Sequence, residues 1–93
     1  MQLNNKADVA TQVMPSGTNI DNLPSKSGGI SWFRAIETPT GTLPWLNATW
    51  LEIEEYVDDT TRNYRKQSAF CIIEQRSAVR YMVGGGWQAW RLT

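Results

Sequence analysis

Histidine is absent from the 93-residue chain, and cysteine occurs once. A lone cysteine closes no intrachain disulfide. Without histidine, no Cys/His zinc site, Ser-His-Asp triad or Cys-His dyad can be built from this chain alone. Neither sign of charge dominates, because nine Lys plus Arg balance nine Asp plus Glu. That balance speaks against a nucleic-acid binder whose affinity depends on a basic excess. No apolar run approaches the roughly 18 residues of a membrane helix, so no membrane insertion is expected. The opening MQLNNKADVA holds neither a basic stretch nor an apolar one, and no secretory leader is expected from it. Aromatic residues are missing from residues 1–15 and frequent afterwards.

What is present has the balance of a folded domain: 41% hydrophobic and 19% charged residues, with five tryptophans. A chain this short buries only about 60–65% of the surface its unfolded form exposes. With metal and disulfides apparently absent, neighbouring subunits are the expected source of extra stability. Each tryptophan can bury roughly 200 Å² in a core or at an interface.

Residues 1–15 read as a stalk or connector ending at Pro15-Ser16-Gly17. Leu3, Ala7, Ala10 and Met14 fall near helical spacing, so a short helix is one reading and an extended or disordered leader the other. Residues 16–93 read as a β domain. Ile30 to Ile36 is rich in β-formers, and a loop with Pro39 and Pro44 follows. Thr49 to Val57 fits a helix face through Trp50, Ile53, Tyr56 and Val57. A strand is preferred because no helix stop follows and residues 58–63 resemble a hairpin loop. A strand is expected from Tyr64 to Glu74, apolar on both sides through Ala69-Phe70-Cys71-Ile72-Ile73. Gln75-Arg76-Ser77 reads as a tight turn, Ala78 to Val83 as a strand, Gly84-Gly85-Gly86 as a hairpin turn, and Trp87 to Leu92 as the last strand. The fold expected is all-β: a small antiparallel meander or sandwich of about five strands.

Charge is divided along the chain. Residues 1–61 hold eight acids and three bases, net −5, and residues 62–93 one acid and six bases, net +5. Pairing the Glu52/Glu54/Glu55 strand with one bearing Arg65 and Lys66 would set opposite charges face to face. Exposed pairs of this kind contribute about 0.2–1 kcal/mol each, so they favour register more than stability.

Catalytic chemistry has little to stand on. Glu52 and Glu54 share a strand face and have the residue types of a glycosidase pair, but a solvated face neutralised by Arg65 and Lys66 is the reading adopted. Asp58 and Asp59 are adjacent acids without ordered ligand spacing, better suited to Asx turns than to a cation. Cys71 sits in the most apolar run and reads as core. Asn47-Ala48-Thr49 matches a glycosylation sequon, which means little without a leader. Gly84-Gly85-Gly86 lacks the Lys-Ser/Thr of a phosphate loop. Trp87 and Trp90, three apart, would face opposite sides of a regular strand. The expectation is a chain without catalytic residues, cofactor or metal.

The ending Arg80-Tyr81-Met82-Val83-Gly84-Gly85-Gly86-Trp87-Gln88-Ala89-Trp90-Arg91-Leu92 resembles that of the pyocin knob domain found in tail fibres of bacteriophages and phage-tail-like bacteriocins. Asn19-Ile20-Asp21-Asn22-Leu23 resembles its opening phrase, Gly28-Gly29-Ile30-Ser31-Trp32-Phe33 its first strand, and Leu43-Pro44 the phrase before the next. Tyr64-Arg65-Lys66-Gln67 resembles the strand that carries a glutamine. The likeness covers roughly residues 18–93. It departs in the acidic strand, in the loop 58–63, and in Trp45 directly after Leu43-Pro44. The resemblance implies a trimeric virion protein, in a tail fibre or tail tip, that attaches to a bacterial surface glycan or protein. The alternative is a structural connector or minor fibre subunit joined to another virion protein. For a ligand site, the loop residues Trp45, Asn47, Arg62 and Asn63 combine a stacking face with hydrogen-bonding groups. Trp87, Trp90 and Arg91 are assigned to fold and assembly.

Overall fold

A computed structural model of the chain describes residues 11–58 and 60–93. Seven strands form one mixed sheet: β1 (Gln12–Met14), β2 (Gly29–Ala35), β3 (Glu52–Val57), β4 (Arg65–Cys71), β5 (Arg76–Val83), β6 (Gly86–Trp87) and β7 (Arg91–Leu92). A single 3-10 turn, Ile20–Asn22, is capped by Asn19, whose Oδ1 accepts from the Asp21 amide at 2.8 Å. The mainly β architecture expected from the sequence is therefore present, as one layer. Among the described residues, no helix is long and apolar enough to cross a membrane.

β2 to β5 form the antiparallel meander that the alternating pattern predicts. Gly84 and Gly85 both have positive φ, 63° and 86°, and close the two-residue β5–β6 turn. Paired positive φ values match the right-handed twist of the flanking strands, and glycine reaches them without strain.

Four details differ from expectation. First, residues 12–14 are not a stalk: β1 pairs in parallel with β2, Met14 beside Ala35, and Met14 joins the core. The boundary after residue 15 therefore falls inside the folded region. The helix proposed through Leu3, Ala7 and Ala10 lies outside the described residues, as does Asp59.

Second, β4 stops at Cys71. Ile72 to Gln75 turn the chain, with Gln75 at φ 57° and its amide donating to the Ile72 carbonyl. Arg76 and Ser77 already belong to β5. Part of the apparent two-sided apolar strand is thus a turn that exposes Ile72 and Ile73. Third, the Glu-rich strand pairs with β4, but the ion pair formed is Glu55 with Arg65, one diagonal step across the register.

Fourth, the last strand is broken. β6 and β7 each pair with β5, and residues 88–90 leave the ladder between them. There the Trp90 indole donates to the Thr42 carbonyl at 2.8 Å. The break overrides strict alternation and brings both Trp87 and Trp90 against Arg80, at 4.1 and 4.5 Å from ring centroid to guanidinium carbon.

Register sorts the strand side chains into cross-sheet rows. On the inner face, Phe33, Ile53, Ala69 and Ala78 make an apolar row, covered by Ile20 and Leu23 of the 3-10 turn and by Trp45, Ala48 and Leu51 of the following loop. Loops thus take the place of the second layer of a sandwich. The outer face carries three rows: Ile30-Tyr56-Lys66-Tyr81, then Trp32-Glu54-Ser68-Val79-Arg91, then Arg34-Glu52-Phe70-Ser77.

Candidate functional site

Next to the apolar inner row lies a polar one: Ser31, Glu55, Gln67 and Arg80, all buried. Buried polar atoms need partners, and these have them. Gln67 Nε2 donates to the Ile20 carbonyl at 2.7 Å and to Glu55 Oε1 at 2.9 Å, while Arg65 Nη1 donates to Glu55 Oε2 at 3.2 Å. Arg80 Nε donates to Gln67 Oε1 at 2.8 Å, and its Nη2 to Asp21 Oδ1 at 2.7 Å. Burial pulls the Arg80 guanidinium below its ordinary pKa, and the Asp21 carboxylate opposes that pull. The Trp87 indole donates to the Asp21 carbonyl at 3.0 Å. The row is closed on itself, so it clamps the 3-10 turn to the sheet and presents no group toward a ligand.

The four loop residues expected to form a binding site do not meet. Trp45 is only 7% exposed and belongs to the core, with Arg76 stacked 4.8 Å from its ring centroid. An indole with so little free surface cannot stack on a ligand. Asn47 is exposed close by, at φ 59° in a turn. Arg62, at φ 61°, directs its guanidinium inward, where Nη1 donates to the Ser25 carbonyl and Nη2 to the Leu23 carbonyl at 3.0 Å. It fastens the 23–25 segment instead of reaching into solvent. Asn63 is exposed, and its carbonyl accepts from the Gly85 amide at 3.0 Å. Trp45 and Asn47 lie at the Cys71 end of β4, Arg62 and Asn63 at the Arg65 end. Seven extended residues separate the two ends, on the order of 20 Å.

Two exposed features stand out among the described residues, one at each end of the sheet. At the Arg65 end a shallow groove of about 300 Å³ is lined by Tyr56, Tyr64 and Tyr81 with Asp58, Lys66 and Val83. Tyr56, Lys66 and Tyr81 occupy one row. The Tyr56 hydroxyl donates to Asp58 Oδ1 at 3.2 Å, and this bond to a carboxylate raises the phenol pKa above its ordinary value. Arg91 stands 6.0 Å from the centroid of the Tyr81 ring. The row that joins Tyr56 to Tyr81 depends on two registers that the sequence did not specify.

At the Cys71 end, past the paired strands, come Ile36 directly after β2, Trp50 (φ 56°) two residues before β3 and Ile72 directly after β4, with Ile73 and Leu46 in the adjoining turns. All five are exposed, Leu46 by 86% and Ile72 by 73%. Glu52 and Glu54 sit half-buried in neighbouring rows of the outer face, across from Phe70 and Ser68. Among the described residues, no three His, Cys, Asp or Glu side chains cluster as a metal site would require. No protein-family model, curated protein or solved structure matches the chain.

Proposed function

We propose that this chain is an attachment module of a bacteriophage tail fibre or tail tip, assembled as a homotrimer that binds a bacterial surface. The observation that carries the reading is the number of large apolar side chains left exposed around the Cys71 end of the sheet on a small domain: Ile36, Leu46, Trp50, Ile72 and Ile73. Exposed apolar side chains in this number at one end of a domain are typical of interaction surfaces. The rows beside it mix Arg34 and Arg91 with Glu52 and Glu54, so like chains offer each other charges of both signs. Three copies would convert a weak site into useful avidity.

A connector that joins fibre segments is the second reading, and the same apolar end favours it, since end-on contact with another virion protein would cover those side chains equally well. Labelled full-length chain applied to a panel of bacterial species separates the two. Attachment predicts adsorption to at least one species, with the signal lost in Ile72→Glu, which separates the copies and removes their avidity. Failure to adsorb to any species supports the connector.

A further inference from the structure

We infer that the groove bounded by Tyr56, Tyr64 and Tyr81 is a subsite for one neutral hexopyranose unit of a polysaccharide; the inference rests on the attachment reading and names the ligand class.

The groove's surface is almost wholly apolar, and its lining joins Tyr56, Tyr64, Tyr81, Met82 and Val83 to the polar groups of Asp58, Arg65, Lys66 and the tyrosine hydroxyls. A pyranose ring has the complementary division. Its axial C–H groups form an apolar face that lies on aromatic rings, and its equatorial hydroxyls point outward. A carboxylate accepts from two such hydroxyls, and an ammonium or phenol O–H donates to their oxygens.

The geometry disfavours the other occupants. A peptide that docks as an added strand needs a free sheet edge, and the groove lies instead on the face of β3, β4 and β5, whose backbones are already paired with one another. An anion would meet the Asp58 carboxylate, and of the two basic residues in the lining Arg65 is already engaged by Glu55 at 3.2 Å. A volume of about 300 Å³ is at the small end of ligand pockets, too small for a folded partner and adequate for a monosaccharide unit.

Two of the rings are also held: Tyr56 is tethered to Asp58, and Arg91 stands over Tyr81, so for these two less side-chain freedom is lost on binding. The bond from Tyr56 to Asp58 keeps one carboxylate oxygen oriented and leaves the other for a sugar hydroxyl.

Saturation-transfer and amide chemical-shift titration of the full chain with the methyl glycosides of glucose, galactose, mannose and N-acetylglucosamine tests the inference. At least one should bind, shifting amides of residues 56–58, 64–66 and 81–83, with affinity reduced about tenfold or more in Tyr64→Ala and in Lys66→Ala and unchanged in Glu74→Ala at the opposite end. Binding of none of the four, or binding whose shifts map elsewhere, overturns it. The shift map uses the unaltered chain, so the inference stays testable if a variant fails to fold. The solution mass is read separately. A trimer that ignores all four sugars removes only this inference, whereas a monomer that binds one removes the attachment reading as stated.

Discussion

At the centre of the inner face a guanidinium lies between two indole rings, with a glutamine oxygen at one edge and a carboxylate at another. Arg80 is 1% exposed, and its planar fork satisfies both rings and both acceptors at once. Lysine cannot reproduce that geometry. Arg80→Met leaves Gln67 Oε1 and Asp21 short of a donor, and breaking a buried charge pair costs about 3–5 kcal/mol. Urea unfolding should show a loss at the lower end of that range, since Asp21 keeps partial contact with water, and Arg80→Lys should recover little of it. Trp45→Ala opens a core cavity and should cost about 3–5 kcal/mol, not the negligible change expected of a solvent-facing loop residue. Tyr56 makes a prediction about pH. Its bond to Asp58 requires the protonated phenol, and its folded pKa lies above the unfolded value of 10.0. The stabilisation it gives is complete below pH 10 and disappears as the pH rises through the folded value. Ultraviolet titration of Asp58→Asn should bring this phenol back toward 10.

Elements take their shape from a few residues that break the regular pattern. Gly41 has φ 95°, and a Cβ there would collide with Asn19 Oδ1, the cap of the 3-10 turn. Gly41→Ala should therefore lower the urea midpoint clearly, by more than the few tenths of a kcal/mol that Asn47→Gly changes at its exposed turn. The meander from β2 to β5 was legible because period-two alternation and hairpin turns are local properties. Ser31, Phe33 and Ala35 alternate inward as their spacing implies. What was not legible depends on distant partners. β1 is three residues long, and only the edge of β2, about twenty residues further on, makes it a strand. Trp87 to Leu92 looked continuous because nothing local reveals that Trp90 will leave the ladder for Thr42. Trp45 looked like a ligand platform because its loop composition is polar, whereas its burial comes from packing over the sheet. Arg62 looked available because its carbonyl partners, Leu23 and Ser25, precede it by almost forty residues.

At the scale of the molecule, one sheet has two differently finished faces. The inner face is sealed by loops and by a closed polar row. The Cys71 end exposes apolar side chains, and the outer face carries a tyrosine-lined groove at its Arg65 end. The attachment reading divides labour along that axis, with contacts to other copies at one end and a sugar at the other. Its central requirement is that the apolar end be covered in water by like chains. Sedimentation equilibrium of the full chain across the micromolar range tests this most directly. The account predicts a mass of three 10.6 kDa chains, falling to that of one chain in Ile72→Glu. A single-chain mass for the unaltered protein throughout that range would contradict it.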